Sequence, residues 1–280
     1  MTQTTVQGLR KVGEGREAEL FEWEGGTRLP AGRQVLRLLR DSDDVAKLER
    51  EAAAMRSALA AGVRAPEPFE VVTVDGRAGM VMERIEGPDL LTEIGRRPWI
   101  LFNAARVSSR FHAQLHGVRG PPDVPDLRSK VRRGIEQGGA LPAEAAERAL
   151  SLLETLPDGE ALCHGDFHPA NLLMAPDGPV LIDWANVSRG VPTADVARTV
   201  MIVRLGEPPP GTSPVVRLLA LVGRRVLLST YLRTYRRERA LDEAALRRWE
   251  YVRWAERLAA EPIPEEEPKL LRLLAQSPEG

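Results

Sequence analysis

The stretch from Ala161 to Ala185, ALCHGDFHPANLLMAPDGPVLIDWA, constrains this chain more than any other. Gly165 and Pro169 fall inside it, and proline both lacks an amide donor and clashes with a preceding helical turn. The segment is therefore a loop, and Asp166 and Asn171, separated by four residues, are polar groups held on it. Two apolar runs follow, Leu172–Met174 and Val180–Ile182, joined by Pro176-Asp177-Gly178. Such a pattern predicts a hairpin with Asp-Gly in its turn. The returning strand ends at Asp183, which is thereby carried back beside the loop. Two carboxylates and an amide oxygen make a hard donor set, better suited to Mg²⁺ than to a softer metal.

His164-Gly165-Asp166, four residues and then Asn171 resembles the protein-kinase catalytic loop, in which His-Arg-Asp is followed by four residues and Asn. Gly165 in place of that Arg, and Asp183-Trp184-Ala185 in place of Asp-Phe-Gly, is similar to the aminoglycoside phosphotransferase and choline kinase family. The resemblance implies an α+β, bilobal, protein-kinase-like fold. Residues 1–87 would form a nucleotide-binding lobe and hinge, a small antiparallel β-sheet with one main helix. Residues 88–280 would form a larger, mainly helical lobe with the catalytic loop and acceptor site. ATP and Mg²⁺ are implied as well, with Asn171 and Asp183 as metal ligands. Asp166 would orient the acceptor hydroxyl and take its proton. The implied acceptor is a small molecule: an aminoglycoside, an amino alcohol or a sugar-like compound. A protein kinase fits less well, because no Ala-Pro-Glu follows Asp183. A non-catalytic nucleotide-binding or scaffold protein on the same fold is the other reading.

The first eighty residues read mostly as strands. Leu9–Val12 and Glu19–Trp23 flank a turn containing Gly13 and Gly15, whose bare backbone would approach a phosphate closely. Ala18 stands where a full Gly-x-Gly-x-x-Gly pattern needs its last glycine, and no Gly-Lys dipeptide occurs, which excludes a P-loop. Gly25-Gly26 opens a second turn region. Gln34–Leu39 reads as the third strand, where the resemblance requires a phosphate-binding cation; Arg37 is the candidate, although a charge between apolar neighbours could equally face solvent. Asp43–Ala61 is a predicted helix with Asp43 as its cap, and Glu51 on it corresponds to the acidic partner of the strand cation. Met82–Ile85 before Gly87-Pro88 looks like a hinge, where backbone groups of Glu83 and Ile85 would meet an adenine.

Helical patterns then dominate: Pro98–Gly117, about 129–137, about 143–156, a helix from about 191 to 205, Val215–Arg239 and Asp242–Ala260. Val215, Leu218, Leu219, Val222 and Val226 form an apolar stripe on the first of the last pair, after the proline-rich Glu207–Pro214 loop. His112 and His116 have the spacing of a zinc pair, but no third ligand is evident, so they read as structural. Asp195 reads as a helix cap and a brace for the catalytic loop. An aminoglycoside acceptor is a cation and would need an acidic pocket. Residues 214–248 carry nine Arg against Glu238, Asp242 and Glu243, while Glu250, Glu256 and Glu261 could compensate; either pattern could equally be a solvated helix face.

Composition bounds the partners. A net charge of -1 gives no global attraction to a nucleic-acid polymer or an anionic membrane. The single cysteine, Cys163, between apolar neighbours reads as a buried thiol and suits a reducing compartment. With no apolar signal core at the amino terminus and Arg217, Arg224 and Arg225 interrupting the best apolar run, a cytoplasmic chain is expected.

Overall fold

The computed structural model describes residues 8–15, 17–23, 32–206 and 213–276. Arg16, the Gly25-Gly26 turn and most of the Glu207–Pro214 loop lie outside the described residues. The fold is bilobal and α+β. Its smaller lobe contains β1 (Lys11–Glu14), β2 (Ala18–Glu22), β3 (Gln34–Leu39), α1 (Val45–Ala60), β4 (Pro68–Val74) and β5 (Arg77–Glu83). These strands form one antiparallel sheet in the order β1-β2-β3-β5-β4.

Alternation along β3 decides which residues meet which core. Leu36 and Leu38 join Phe21, Trp23, Phe69 and Val81 on one face. Leu39 lies opposite Ala18 and on the other face, where Leu48, Ala52 and Met55 of α1 pack. Arg37 shares that second face, so it is turned toward α1 rather than solvent. Asp44, and not Asp43, caps α1 by accepting the Lys47 N–H at 2.8 Å.

The larger lobe holds α2 (Leu90–Arg96), α3 (Leu101–Leu115), α4 (Leu127–Glu136), α5 (Ala143–Thr155), α6 (Pro192–Leu205), α7 (Pro214–Glu238), α8 (Glu243–Ala260) and α9 (Glu267–Gln276). Between α5 and α6 run β6 (Ala161–Cys163), β7 (Leu172–Ala175), β8 (Gly178–Leu181) and β9 (Ser188–Gly190). β7 and β8 are the predicted hairpin, while β6 pairs with β9 across the whole segment. Among the described residues no helix is long and apolar enough to cross a membrane.

The apolar stripe on α7 does not pack as its pattern suggests. Val215, Leu218, Leu219 and Val222 are exposed, and the buried face begins at Leu227 and continues through Leu228, Tyr231 and Tyr235. The reason is length. Ser109 of α3 donates to Tyr231 O, and His116 meets the Tyr235 hydroxyl, so the two helices run parallel. With α3 of 15 residues beside α7 of 25, the first turns of α7 extend past their partner.

The lobes are joined at Arg84–Pro88, and this connection lies against the hairpin: Pro88 O accepts the Met174 N–H at 2.8 Å. Gly87 beside it has φ 146°, and a Cβ there would stand 2.4 Å from Met174 O. Gly87→Ala should therefore cost about 2 kcal/mol or more, through left-handed strain and a backbone collision. A lower urea midpoint at constant m-value is the expected reading; an unchanged midpoint would contradict the close approach.

Candidate active site

The loop and the hairpin fold as one unit. Ile182 donates its N–H to Asn171 O at 2.9 Å, which sets the next residue, Asp183, beside Asn171. Asp183 adopts φ 62° and ψ 69°, left-handed backbone that an aspartate keeps when its surroundings dictate it. Asn171 Nδ2 donates to Asp166 O at 2.8 Å and to Asp166 Oδ2 at 3.0 Å. With the amide nitrogen so used, the carboxamide oxygen is the atom left to serve a cation.

His164 braces the same unit. Its Nε2 donates to Ile182 O at 3.0 Å and its Nδ1 accepts the Asp166 N–H at 3.3 Å, which fits a single neutral tautomer. Burial lowers its pKa and keeps it neutral. Gly165 has φ 78°, and a Cβ there would lie 2.3 Å from Asn186 O. No side chain fits, which gives a steric reason for glycine where protein kinases carry Arg.

Asp195 anchors this segment from below. Its Oδ2 accepts the His164 N–H at 2.7 Å and its Oδ1 the Gly165 N–H at 2.9 Å. Nε2 of His112 and of His116 donate to the same carboxylate at 3.1 and 3.2 Å, while their Nδ1 atoms accept from the hydroxyls of Tyr231 and Tyr235. Burial opposes the charge on Asp195, yet the hydrogen bonds from His112 and His116 hold its pKa well below the usual carboxylate range. Asp195 thus braces the loop as expected, but it makes no capping bond to its own helix. It is also the third potential ligand that the histidine spacing lacked: the three ligand atoms lie within 4.8 Å of one another. Each of those atoms already has a protein partner in a site without solvent exposure, so the cluster is a hydrogen-bond network, as its structural reading implied.

A cleft of about 1040 Å³ runs between the lobes. Gly15, Arg37, Glu51, Glu83, Ile85, Asp166 and Asp183 line it. Gly13 and Asn171 are not among its lining residues, Asn171 being joined to it through Asp166. Arg37 Nη1 pairs with Glu51 Oε2 at 2.8 Å, with side chains 12% and 3% exposed, so the strand cation faces inward. Burial raises the Glu51 pKa against the pull of Arg37, and its Oε1 has no hydrogen-bond partner.

Burial would also raise the pKa of Asp166, but the ring of His168, and more distantly the Arg198 guanidinium, bring it down to about 2. His168 Nε2 stands 3.6 Å from Asp166 Oδ2, close enough for an electrostatic effect though long for a hydrogen bond. Cys163 is buried, and desolvation raises its pKa far above the range of a reactive thiol.

Two features of the site had no sequence signal. Arg198 of α6 donates from Nε to Gly165 O and from Nη2 to Glu261 at the end of α8. Lys130 of α4 donates to Asn186 O at 2.9 Å, next to the Gly165 contact. Each arrives from a helix remote in sequence, and a single Arg or Lys on a helix carries no motif. His168 was visible within the motif but its spacing alone gave it no role.

The model of the phosphotransferase enzyme family matches residues 8–247. Among curated proteins none matches this chain. Among solved structures, an amicoumacin kinase in complex with AMP-PNP, Ca²⁺ and amicoumacin superposes with a TM-score of 0.64 at 14% identity, covering 98% of this chain and 89% of that one. A type VIII aminoglycoside-3'-phosphotransferase gives 0.57 at 21% identity, covering 87% and 92%. An aminoglycoside phosphotransferase from Streptomyces rimosus gives 0.57 at 19%, covering 88% and 91%. At these identities the structures share the fold.

The neutral burial of His112 has a measurable consequence. Desolvation first, and then the neighbouring His116, lowers its pKa from 6.5 to about 3. The unfolded chain therefore takes up a proton at this imidazole before the folded one does. Its contribution to stability is complete above pH 6.5 and is lost progressively as pH falls toward 3. Near pH 5 the loss should be about 2 kcal/mol relative to neutral pH. Urea denaturation at both pH values measures it, and His112→Asn should show a shallower slope. Equal slopes in the two proteins would contradict the neutral assignment.

Proposed function

Since the chain belongs to the phosphotransferase enzyme family, we propose that it moves the γ-phosphoryl group of ATP to a hydroxyl of a small molecule. The observation that carries this reading is the hydrogen-bonded unit that gathers Asp166, Asn171 and Asp183 at an interlobe cleft. Residues 1–87 would hold the nucleotide and 88–280 the acceptor. The glycine turn with Gly13 and Gly15 would approach the phosphates, and backbone groups at Glu83 and Ile85 would receive the adenine. Arg37, fixed by Glu51, would neutralise non-bridging oxygens through its planar guanidinium fork.

The donor set fits a hard cation: a carboxylate at a constrained Asp183 and the remaining carboxamide oxygen of Asn171. These two residues would hold Mg²⁺, whose charge screens the phosphate oxygens. In the transfer itself the acceptor oxygen bonds to phosphorus as the bond from phosphorus to the β,γ-bridging oxygen breaks. ADP departs, and the hydroxyl proton passes to Asp166. A carboxylate with a pKa of about 2 is a weak base, so its main contribution is to orient the hydroxyl and accept the proton late.

Asp166→Ala should reduce kcat by about 10²-fold or more, on the scale of a lost general base, while Mg·ATP affinity is largely kept. Asp183→Ala should instead weaken Mg·ATP binding itself. Steady-state ADP release with an acceptor panel, beside calorimetric nucleotide binding, separates the two effects. Wild-type turnover in Asp166→Ala would refute the assignment. Tight Mg·ATP binding without turnover for any acceptor would instead indicate a binding protein.

A further inference from the structure

The cleft continues past Asp183 to a wall made by Asn186, Arg198, Arg257, Ala260, Glu261 and Pro262. Arg198 contacts the Asp166 loop through Gly165 O, so this wall is the part of the cleft adjoining Asp166 on the side away from the hinge. Given phosphoryl transfer at Asp166, an acceptor sits against it.

The wall supplies its own counter-ions. Glu261 Oε1 and Oε2 each accept from Arg198 Nη2 at 3.0 Å, and Oε2 also accepts from Arg257 Nη1 at 2.5 Å. Arg257 Nε donates to Glu266 at 2.9 Å. Behind them Arg253 pairs with Glu256 at 2.6 Å, and Lys130 is bound to Asn186. Four cations thus stand against three carboxylates. Glu261 and Glu256 both keep pKa values below the ordinary range despite burial, so both are charged. Glu250, the remaining acidic candidate for a cationic acceptor, pairs with Arg204 and is not a lining residue of the cleft.

An acceptor bearing several ammonium groups needs carboxylates that are free to receive them. Here it would have to draw Glu261, 34% exposed, away from two guanidiniums and leave those charges unpaired in a largely buried wall. A hydroxyl or an anionic group instead adds to the guanidinium face without breaking a pair. We infer that the acceptor is a neutral or anionic polyhydroxyl compound, seated against Arg257 and Asn186, and not a polycation. This inference rests on the phosphotransfer reading of the cleft.

The test uses the full chain with Mg·ATP and four acceptor probes: myo-inositol, gluconate, glucosamine and kanamycin. The expected result is a kcat/KM for myo-inositol or gluconate about 10-fold or more above that for kanamycin, the size of one decided charge contact. Arg257→Gln should narrow the gluconate-to-kanamycin ratio, and Glu266→Gln should widen it. A general loss of packing would not move the ratio in opposite directions, and whichever variant keeps its wild-type melting temperature supplies the comparison. Turnover confined to kanamycin, turnover with neither myo-inositol nor gluconate, or an unmoved ratio in a folded variant would overturn the inference. Mg·ATP affinity and the loss of turnover in Asp183→Ala are read in parallel. Their failure removes the phosphotransfer reading, whereas their persistence with kanamycin-only turnover removes the charge inference alone.

Discussion

One buried carboxylate, Asp195, organises the larger lobe. A charge out of water costs several kcal/mol unless its lone pairs are filled, and here four N–H groups fill them. Two are backbone amides of His164 and Gly165, at the point where the chain leaves β6. The other two are imidazoles from α3, themselves held by tyrosines on α7. The same carboxylate therefore ties α3, α6 and α7 to the loop that carries Asp166. The loop has little regular structure of its own, so this anchorage is what gives its polar groups a defined direction. Neutral histidines suit the role, since each donates one proton to the carboxylate and accepts one from a hydroxyl.

The cleft inherits its order from that anchor. Gly165 can pass close to Asn186 only because it has no side chain, and Asn186 in turn is held by Lys130. Arg198 closes the arrangement by linking Gly165 O to the end of α8. Across the cleft, the pair of Arg37 and Glu51 plays a comparable part between β3 and α1. Each lobe thus presents a fixed charge arrangement to the space between them, and burial strengthens both by excluding water. The wall of Arg198, Arg257 and Glu261 differs in kind, because its carboxylates are consumed by arginines of the same chain. Family membership speaks for the transfer chemistry, and the wall supports the charge proposed for the acceptor.

Much of this was legible in the residues. The Gly-Pro loop, the Asp-Gly hairpin and the position of Asp183 follow from local backbone rules, and local rules survive in any fold that accepts them. Helices with strong 3.6-residue periodicity were also found close to their predicted ends. Three readings were altered. Asp195 reads as a cap for its own helix, but its carboxylate is filled by the loop amides and the two imidazoles instead. Asp43 and Asp44 are equally good caps by composition, and only the hydrogen bond to Lys47 chooses between them. The α7 stripe looks like a core face, yet periodicity reports that a helix has an apolar side without saying whether a partner is long enough to cover it.

What the sequence determined by itself is the chemistry at the loop: two carboxylates and a carboxamide at spacings that only a turn and a hairpin can bring together. Tertiary structure decided the remainder. Whether Arg37 faces solvent or α1 depends on which face of β3 is covered, and that is a matter of sheet order and not of β3 alone. The ion pairs of Arg198 with Glu261 span 63 residues, and the bond of Lys130 to Asn186 spans 56. Pairing over such distances is set by how helices pack, because a charge acts on its neighbours in space and leaves no period in the chain.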